Sequence, residues 1–227
     1  MPETRVQTAF LFDLDGTLVD SVYQHVLAWR EALDAEGLNL SVWRVHRKIG
    51  MSGGLFTHQL ARELGSEISR EQMERLKQGH AEAYRRLAPT VRPLPGACEL
   101  LAALDSAGVA WAIATSGWME TAAPNLLALG VDPAKSVVVT RDQVKYAKPD
   151  PDLFLAAAER LGAPIQTTVV VGDSIWDMIA AARCKAVGVG LLSGGYGQNE
   201  LERSGALRVY EDPRDLLIHL DEVGGRR

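Results

Sequence analysis

The chain has 227 residues, a formal net charge of −5 and a hydrophobic fraction of 47%. That length allows one large domain or one core with an insertion, and the composition supports a sizeable core. The acidic balance argues against nucleic acid as a partner, but not against anionic small molecules, because a bound metal reverses the local field. Cys98 and Cys184 stand far apart with no C-x-x-C pair. This argues against a zinc site or disulfide framework and predicts reduced, buried thiols in a cytoplasmic protein. Polar and acidic residues precede the first apolar run, and Asp13 breaks that run. Neither a signal peptide nor a membrane span is predicted.

In chain order, Ala9–Phe12 reads as a short buried strand of a parallel sheet, ending on Asp13. Asp15 follows, and Gly16 and Thr17 turn the chain away. The stretch 21–37 then carries Val22, Val26, Trp29 and Leu33 at helical spacing, with Gly37 as its stop. Further helices are predicted near 42–47, 55–64 and 70–87, with the glycine-rich stretch 50–54 between the first two. Three prolines in 89–95 mark a return linker. Beyond it strands and helices alternate: helix 96–107, strand 109–115, helix 120–129 with Pro124 in its first turn, and strand 137–140. Helix 152–161, strand 167–171, helix 175–182 and strand 187–191 follow. A last helix, strand and helix are predicted at 199–203, 207–210 and 213–220, and 224–227 reads as a frayed end.

This alternation predicts an α/β fold, a doubly wound parallel sheet with helices on both faces. The helical stretch after the first strand predicts a small inserted domain. The division is then 1–19 and 90–227 for the core and 20–89 for the insert. Because the insert leaves the chain just after Asp15, it should hang over the carboxyl end of the sheet, as a lid.

Ligands of open α/β sheets sit at those carboxyl ends. Asp13 and Asp15 fall there, and two nearby carboxylates can hold a hard divalent cation, attack phosphorus or shuttle a proton. Asp13 and Asp15 share a face only if the strand runs through both, so their geometry stays open. Thr115 and Ser116 close the second strand, where a hydroxyl either holds a phosphoryl oxygen or caps a helix. Lys148, in a loop stiffened by prolines around Asp150, either neutralises a phosphate or is a solvated surface lysine. Asp173 follows a β-branched strand, with Asp177 one helical turn on. The pair suits metal ligation, with helix capping by Asp173 as the alternative. In a parallel sheet, all of these strand ends lie on one edge.

The pattern of Asp13, Asp15, Gly16 and Thr17, then Thr115, then Lys148, then Gly172, Asp173 and Asp177 resembles the haloacid dehalogenase (HAD) superfamily. The likeness is to its phosphatase-type members with a helical cap, the phosphoglycolate phosphatase and β-phosphoglucomutase-like group. It covers essentially the whole chain and implies a Rossmann-like HAD core. It implies that Asp13 attacks phosphorus to form an aspartyl phosphate, and that Asp15 protonates the leaving alcohol and then activates water. It also implies Mg²⁺ on Asp13, the backbone carbonyl of Asp15 and Asp173, with Asp177 in support. Thr115 and Lys148 would hold the phosphoryl oxygens, with Ser116 beside them.

The resemblance also ranks the reactions. Asp15 speaks for phosphoryl transfer, because dehalogenases of the superfamily do without the second acid and phosphonate-cleaving members carry Ala there. His25, four residues before Trp29, resembles the cap entry of the mutases, and the alternative is a partly exposed helix residue. However, Gly53 stands about where a mutase arginine would grip the second phosphate, and Gly172 replaces a mutase Glu. Hydrolysis of a small phosphate monoester, a sugar phosphate or phosphoglycolate, is therefore expected. A sugar-phosphate mutase is the alternative, with Arg47 or Lys48 as a substitute cation, and a non-catalytic binding protein stands third. Leaving-group choice is expected from His25, Gly53 and its loop, Ser116, Gly117 and Trp118, although the loop also reads as a plain helix–helix turn and Trp118 as a cover for the sheet. A monomer is the default, with dimerisation through the helical insert as the alternative.

Overall fold

Side-chain alternation along β1 (Ala9–Phe12) decides the layering. Phe10 and Phe12 enter one apolar cluster and Leu11 enters another, and all are fully buried. Burial on both faces is what a central parallel strand requires. In the computed structural model, which describes residues 8–65 and 67–225, β1 lies between β2 (Trp111–Ala114) and β4 (Thr168–Gly172). The other strands are β3 (Val137–Val139), β5 (Val187–Leu191) and β6 (Ala206–Tyr210). The six-stranded sheet runs β3-β2-β1-β4-β5-β6, all parallel. Strand order reverses between β1 and β4, which opens a crevice outside their carboxyl ends.

Before β2 come α1 (Val22–Ala35), α2 (Val42–His46), α3 (Gly53–Leu64), α4 (Arg70–Leu87) and α5 (Ala97–Ser106). After it come α6 (Met119–Ala128), α7 (Asp152–Leu161), α8 (Ile175–Cys184), α9 (Gln198–Arg203) and α10 (Pro213–Ile218). Leu100 and Leu104 of α5, Leu126 of α6 and Leu216 of α10 pack on the Phe10/Phe12 face. Leu153 and Phe154 of α7 and Ala180 and Ala181 of α8 pack on the Leu11 face. Each fully buried Leu or Phe contributes about 1.5–3 kcal/mol.

The four helices α1–α4 form a region with its own core of Val22, Val26, Leu33, Val45, Phe56, Leu60, Met73 and Leu76. α1 and α4 approach closely because small residues face each other: a Cβ on Gly79 would lie 3.3 Å from the Cβ of Ala32. The segments that enter and leave this region pair antiparallel. Asp20 N–H donates to Arg92 O and Leu94 N–H to Leu18 O, both at 2.9 Å.

Several sequence expectations change. Pro124 lies in the second turn of α6 rather than the first, so α6 lacks the N–H that would have bonded the Glu120 carbonyl. Cys98 is exposed on α5, and only Cys184 is buried. Gly225 is not frayed: its N–H donates to Leu220 O at 2.9 Å. Arg226 and Arg227 of that predicted end, and residues 1–7 of the polar N-terminal stretch, lie outside the described residues. No helix among the described residues is long and apolar enough to cross a membrane.

Candidate active site

β1 stops at Phe12, so the following loop, and not strand alternation, aims Asp13 and Asp15. The two carboxylates face different surroundings.

Asp13 joins a dry cluster. Its carboxylate contacts the Lys148 ammonium, which also lies 2.8 Å from Asp177 Oδ1 and over the Phe154 ring at 5.1 Å. Lys148 is fully buried, so it is not a solvated surface lysine. Asp173 follows β4 and accepts a 2.9 Å hydrogen bond from the Thr17 hydroxyl. It does not cap α8: Ser174 does, and Ser174 donates its N–H and hydroxyl to Asp177 Oδ2 at 3.1 and 2.5 Å. Glycine lets the backbone close around Asp173, since a Cβ on Gly194 would fall 1.7 Å from Asp173 Oδ2.

Burial pushes the Asp13 carboxyl up to about 7 against the pull of Lys148, and Asp177 and Asp15 push the same way. Burial, then Asp177 and Asp13, raises Asp173 well above the usual carboxylate range. Burial alone would lower Lys148, yet Asp13 and Asp177 hold it above its ordinary value. Three buried acids thus crowd one ammonium, which contacts two of them, Asp13 and Asp177. Asp13, Asp173 and Asp177 offer oxygens within 4.8 Å of one another, and Asp177 Oδ1 is buried with no aligned hydrogen bond. An all-oxygen donor set of three buried carboxylates beside a single ammonium carries excess negative charge and fits a hard divalent cation.

Asp15 is held elsewhere. Its Oδ1 accepts from Ser21 Oγ at 2.7 Å and Asn125 Nδ2 at 2.8 Å, and His25 Nε2 lies 3.3 Å away. Its Oδ2 is left toward Thr115, whose hydroxyl is 3.5 Å away. Burial alone would raise the Asp15 carboxyl, but His25, the Ser21 hydrogen bond and Lys148 outweigh it and hold it below its ordinary value. His25 is itself buried. It stacks on Tyr84, with centroids 3.9 Å apart, and its Nδ1 lies 3.1 Å from His80 Nε2. Burial, then His25, pushes His80 well below the usual imidazole value. Asn125 also donates to the Tyr84 hydroxyl at 2.7 Å.

Both acids open onto a cavity of about 210 Å³ between the sheet edge and α1–α4. Thr115, Ser116, Gly117 and Trp118 line it from the sheet side, and His25 and Gly53 from the helical side. Lys148, Asp173 and Asp177 do not line it. The Ser116 hydroxyl is buried without a partner. Thr115 Oγ1 accepts from Gly117 N–H at 2.9 Å, whereas the residue that caps α6 is Trp118, half-exposed at the mouth. The loop 50–54 is more than a turn: Ser52 N–H donates to Lys148 O at 2.7 Å, and Gly53 opens α3 with free space around it. Of the two cations proposed for this region, Lys48 lines the cavity. Arg47 turns to Glu200 and stacks on Tyr196 at 3.8 Å.

Sequence reasoning missed the supporting groups Ser21, His80, Tyr84, Asn125 and Gly194. Ser21 sits at a predicted helix start, a position that could have drawn attention. Tyr84 and Asn125 are ordinary helix residues with no local signal.

The model of the haloacid dehalogenase-like hydrolases matches residues 7–185. The chain belongs to that family. Hexitol phosphatase A of Escherichia coli is 38% identical over 184 residues, covering 79% of this chain and 82% of that protein. N-acetylmuramic acid 6-phosphate phosphatase of Pseudomonas aeruginosa is 31% identical over 95% of each chain. The crystal structure of a hydrolase from Pseudomonas syringae superposes with a TM-score of 0.95 at 64% identity, over 96% of this chain and all of that one. With this family and these relatives, the protein is a phosphatase of small phosphate esters.

Proposed function

We propose that this hydrolase cleaves a small sugar phosphate or phosphoglycolate-like monoester through an aspartyl phosphate, with Mg²⁺ in attendance. One observation carries the reading: Asp13 both lines the cavity and belongs to the buried acid cluster around Lys148. A phosphoryl group in the cavity is within reach of an oxygen that the cluster holds in place.

In the first half-reaction an Asp13 oxygen attacks phosphorus, the ester P–O bond breaks, and Asp15 gives its proton to the leaving alkoxide. In the second, Asp15 takes a proton from water, the water oxygen attacks phosphorus, and the Asp13–phosphorus bond breaks to release phosphate. Asp15 rests as a carboxylate and takes up a proton from solvent as the phosphate dianion binds and raises its proton affinity. Ser21, Asn125 and His25 fix Oδ1, so Oδ2 moves the proton. Ser116, whose hydroxyl has no partner, and Thr115 receive phosphoryl oxygens, while Lys148 keeps Asp13 oriented. Asp13, Asp173, Asp177 and the Asp15 carbonyl would hold the ion. When bound, magnesium supplies the positive charge that offsets these acids and the phosphoryl oxygens.

In this reading 20–89 is the cap and 1–19 with 90–227 the core. The paired segments at 18–20 and 92–94 form the hinge, and the closed cap keeps bulk water out. The mutase alternative needs a grip for a second phosphate. Gly53 offers none, and Glu63 already neutralises Lys48 at 2.6 Å.

The test is Mg²⁺-dependent phosphate release over sugar phosphates, phosphoglycolate and nucleotides, with β-glucose 1-phosphate plus a catalytic bisphosphate. Release concentrated on one small ester is expected. Conversion of glucose 1-phosphate to glucose 6-phosphate without net release would make this a mutase. Mg²⁺ binding with no turnover across the panel would leave a binding protein.

A further inference from the structure

The cavity is lined on its helical side by Lys48 and apolar side chains, and that chemistry constrains the leaving group. Lys48 is 3% exposed and lines the cavity. Its ammonium donates to Glu63 Oε1 at 2.6 Å and to Arg44 O at 3.2 Å. An ammonium has three N–H groups, so these two acceptors leave one N–H unused. Glu63 does not line the cavity and closes the pair from behind. Its other oxygen lies 3.5 Å from Arg44, which is 43% exposed, so water screens that charge. The helical wall thus presents a hydrogen-bond donor whose charge is already cancelled. The other charged groups on that wall are also paired: Lys77 with Glu74 at 2.9 Å, and Glu120 below it with Arg85 at 2.5 Å.

Beside Lys48 the wall is apolar. Trp29 and Phe56 stack with centroids 4.3 Å apart, and Met51 and Met73 complete the surface. Such a wall takes the C–H face of a carbon chain or ring. The 210 Å³ volume is below the roughly 300–1,000 Å³ of drug-sized ligand sites, which leaves little room for a nucleoside.

We propose that Lys48 and Glu63 form a charge-neutral subsite that selects an uncharged, hydroxylated leaving group over a carboxylate. The preferred substrates are then phosphate monoesters of a polyol or small sugar, and phosphoglycolate is a poor one. A hydroxyl oxygen accepts the spare N–H at no electrostatic cost. A carboxylate would be desolvated beside Glu63 with no net positive charge to compensate it. This rests on the phosphatase reading above.

The experiment compares kcat/KM for a hexitol 6-phosphate, phosphoglycolate and p-nitrophenyl phosphate in the wild type, Lys48→Met and Glu63→Gln. The wild type is expected to favour the hexitol ester over phosphoglycolate by roughly tenfold or more. Lys48→Met should lower the ratio of hexitol ester to p-nitrophenyl phosphate by about tenfold, mainly through KM. Glu63→Gln, which uncovers the Lys48 charge, should shift preference toward phosphoglycolate by about threefold or more. A wild-type preference for phosphoglycolate, or an equal loss on all three esters in Lys48→Met, would overturn the subsite. So would a phosphoglycolate activity that depends on Arg141, the cation on the core side of the mouth. If even p-nitrophenyl phosphate is untouched in Mg²⁺, the phosphatase reading itself fails.

Discussion

The sheet edge and the α1–α4 region share one cavity but are built from opposite materials. At the sheet edge, Asp13, Asp173, Asp177 and Lys148 are almost wholly buried, with Lys148 paired to Asp13 and Asp177, and Thr17 and Ser174 donating to Asp173 and Asp177. Across the cavity stand stacked aromatic rings, two methionines and a lysine whose charge is cancelled. Charge that must do chemistry is kept dry and mutually constrained, where each interaction is strong. The surface that meets the variable part of a substrate is apolar and electrically quiet. The contrast fits the proposed reaction at the strand ends and the proposed choice of leaving group at the helices.

Substitutions should therefore have unequal effects on the two sides. The largest is expected at the proposed nucleophile: Asp13→Asn should cut p-nitrophenyl phosphate turnover on the order of 10⁴-fold while the thermal transition persists. Retained turnover would move the chemistry away from the sheet edge. Lys148→Ala leaves the buried acids without their cation. It should cost about 3–5 kcal/mol in a denaturant melt without magnesium, and added Mg²⁺ should recover part of the loss by binding the native state. Gly194→Ala drives a methyl into Asp173 Oδ2. Mg²⁺ affinity, followed by titration calorimetry, should fall about 10–100-fold. The smallest effect belongs to the exposed bridge between the two regions: Arg85→Ala removes its contact with Glu120, whose side chains are 63% and 66% exposed. Less than about 1 kcal/mol should be lost, and a larger loss would mean that this contact, and not the paired crossing segments, holds the two regions together.

Much of the sheet was legible because its signals are local. Short β-branched or aromatic runs, each followed by a helical stretch, marked all six strands, and parallel order put Asp13, Thr115 and Asp173 on one edge. Helix ends were less legible. Pro124 was assigned to the first turn of α6, but the helix begins at Met119, one residue before the predicted start, and Pro124 falls in its second turn. Cys98 was read as buried from its residue type, but α5 presents it outward. The network around Asp15 was invisible. Asn125 comes from α6, Tyr84 and His80 from α4 and His25 from α1, four side chains on three helices distant in sequence.

The sequence by itself determined the order of the elements, the two-faced burial of β1 and the positions of the acids at strand ends. Each of these follows from side-chain periodicity and backbone preference within a few residues. Only the tertiary structure decided that Asp13 joins Lys148 while Asp15 turns to Ser21, Asn125 and His25. It alone decided that Glu63 cancels the charge of Lys48. Those outcomes depend on distances between groups far apart in the chain, which are settled when the helices pack against the sheet edge and burial makes every unpaired charge costly.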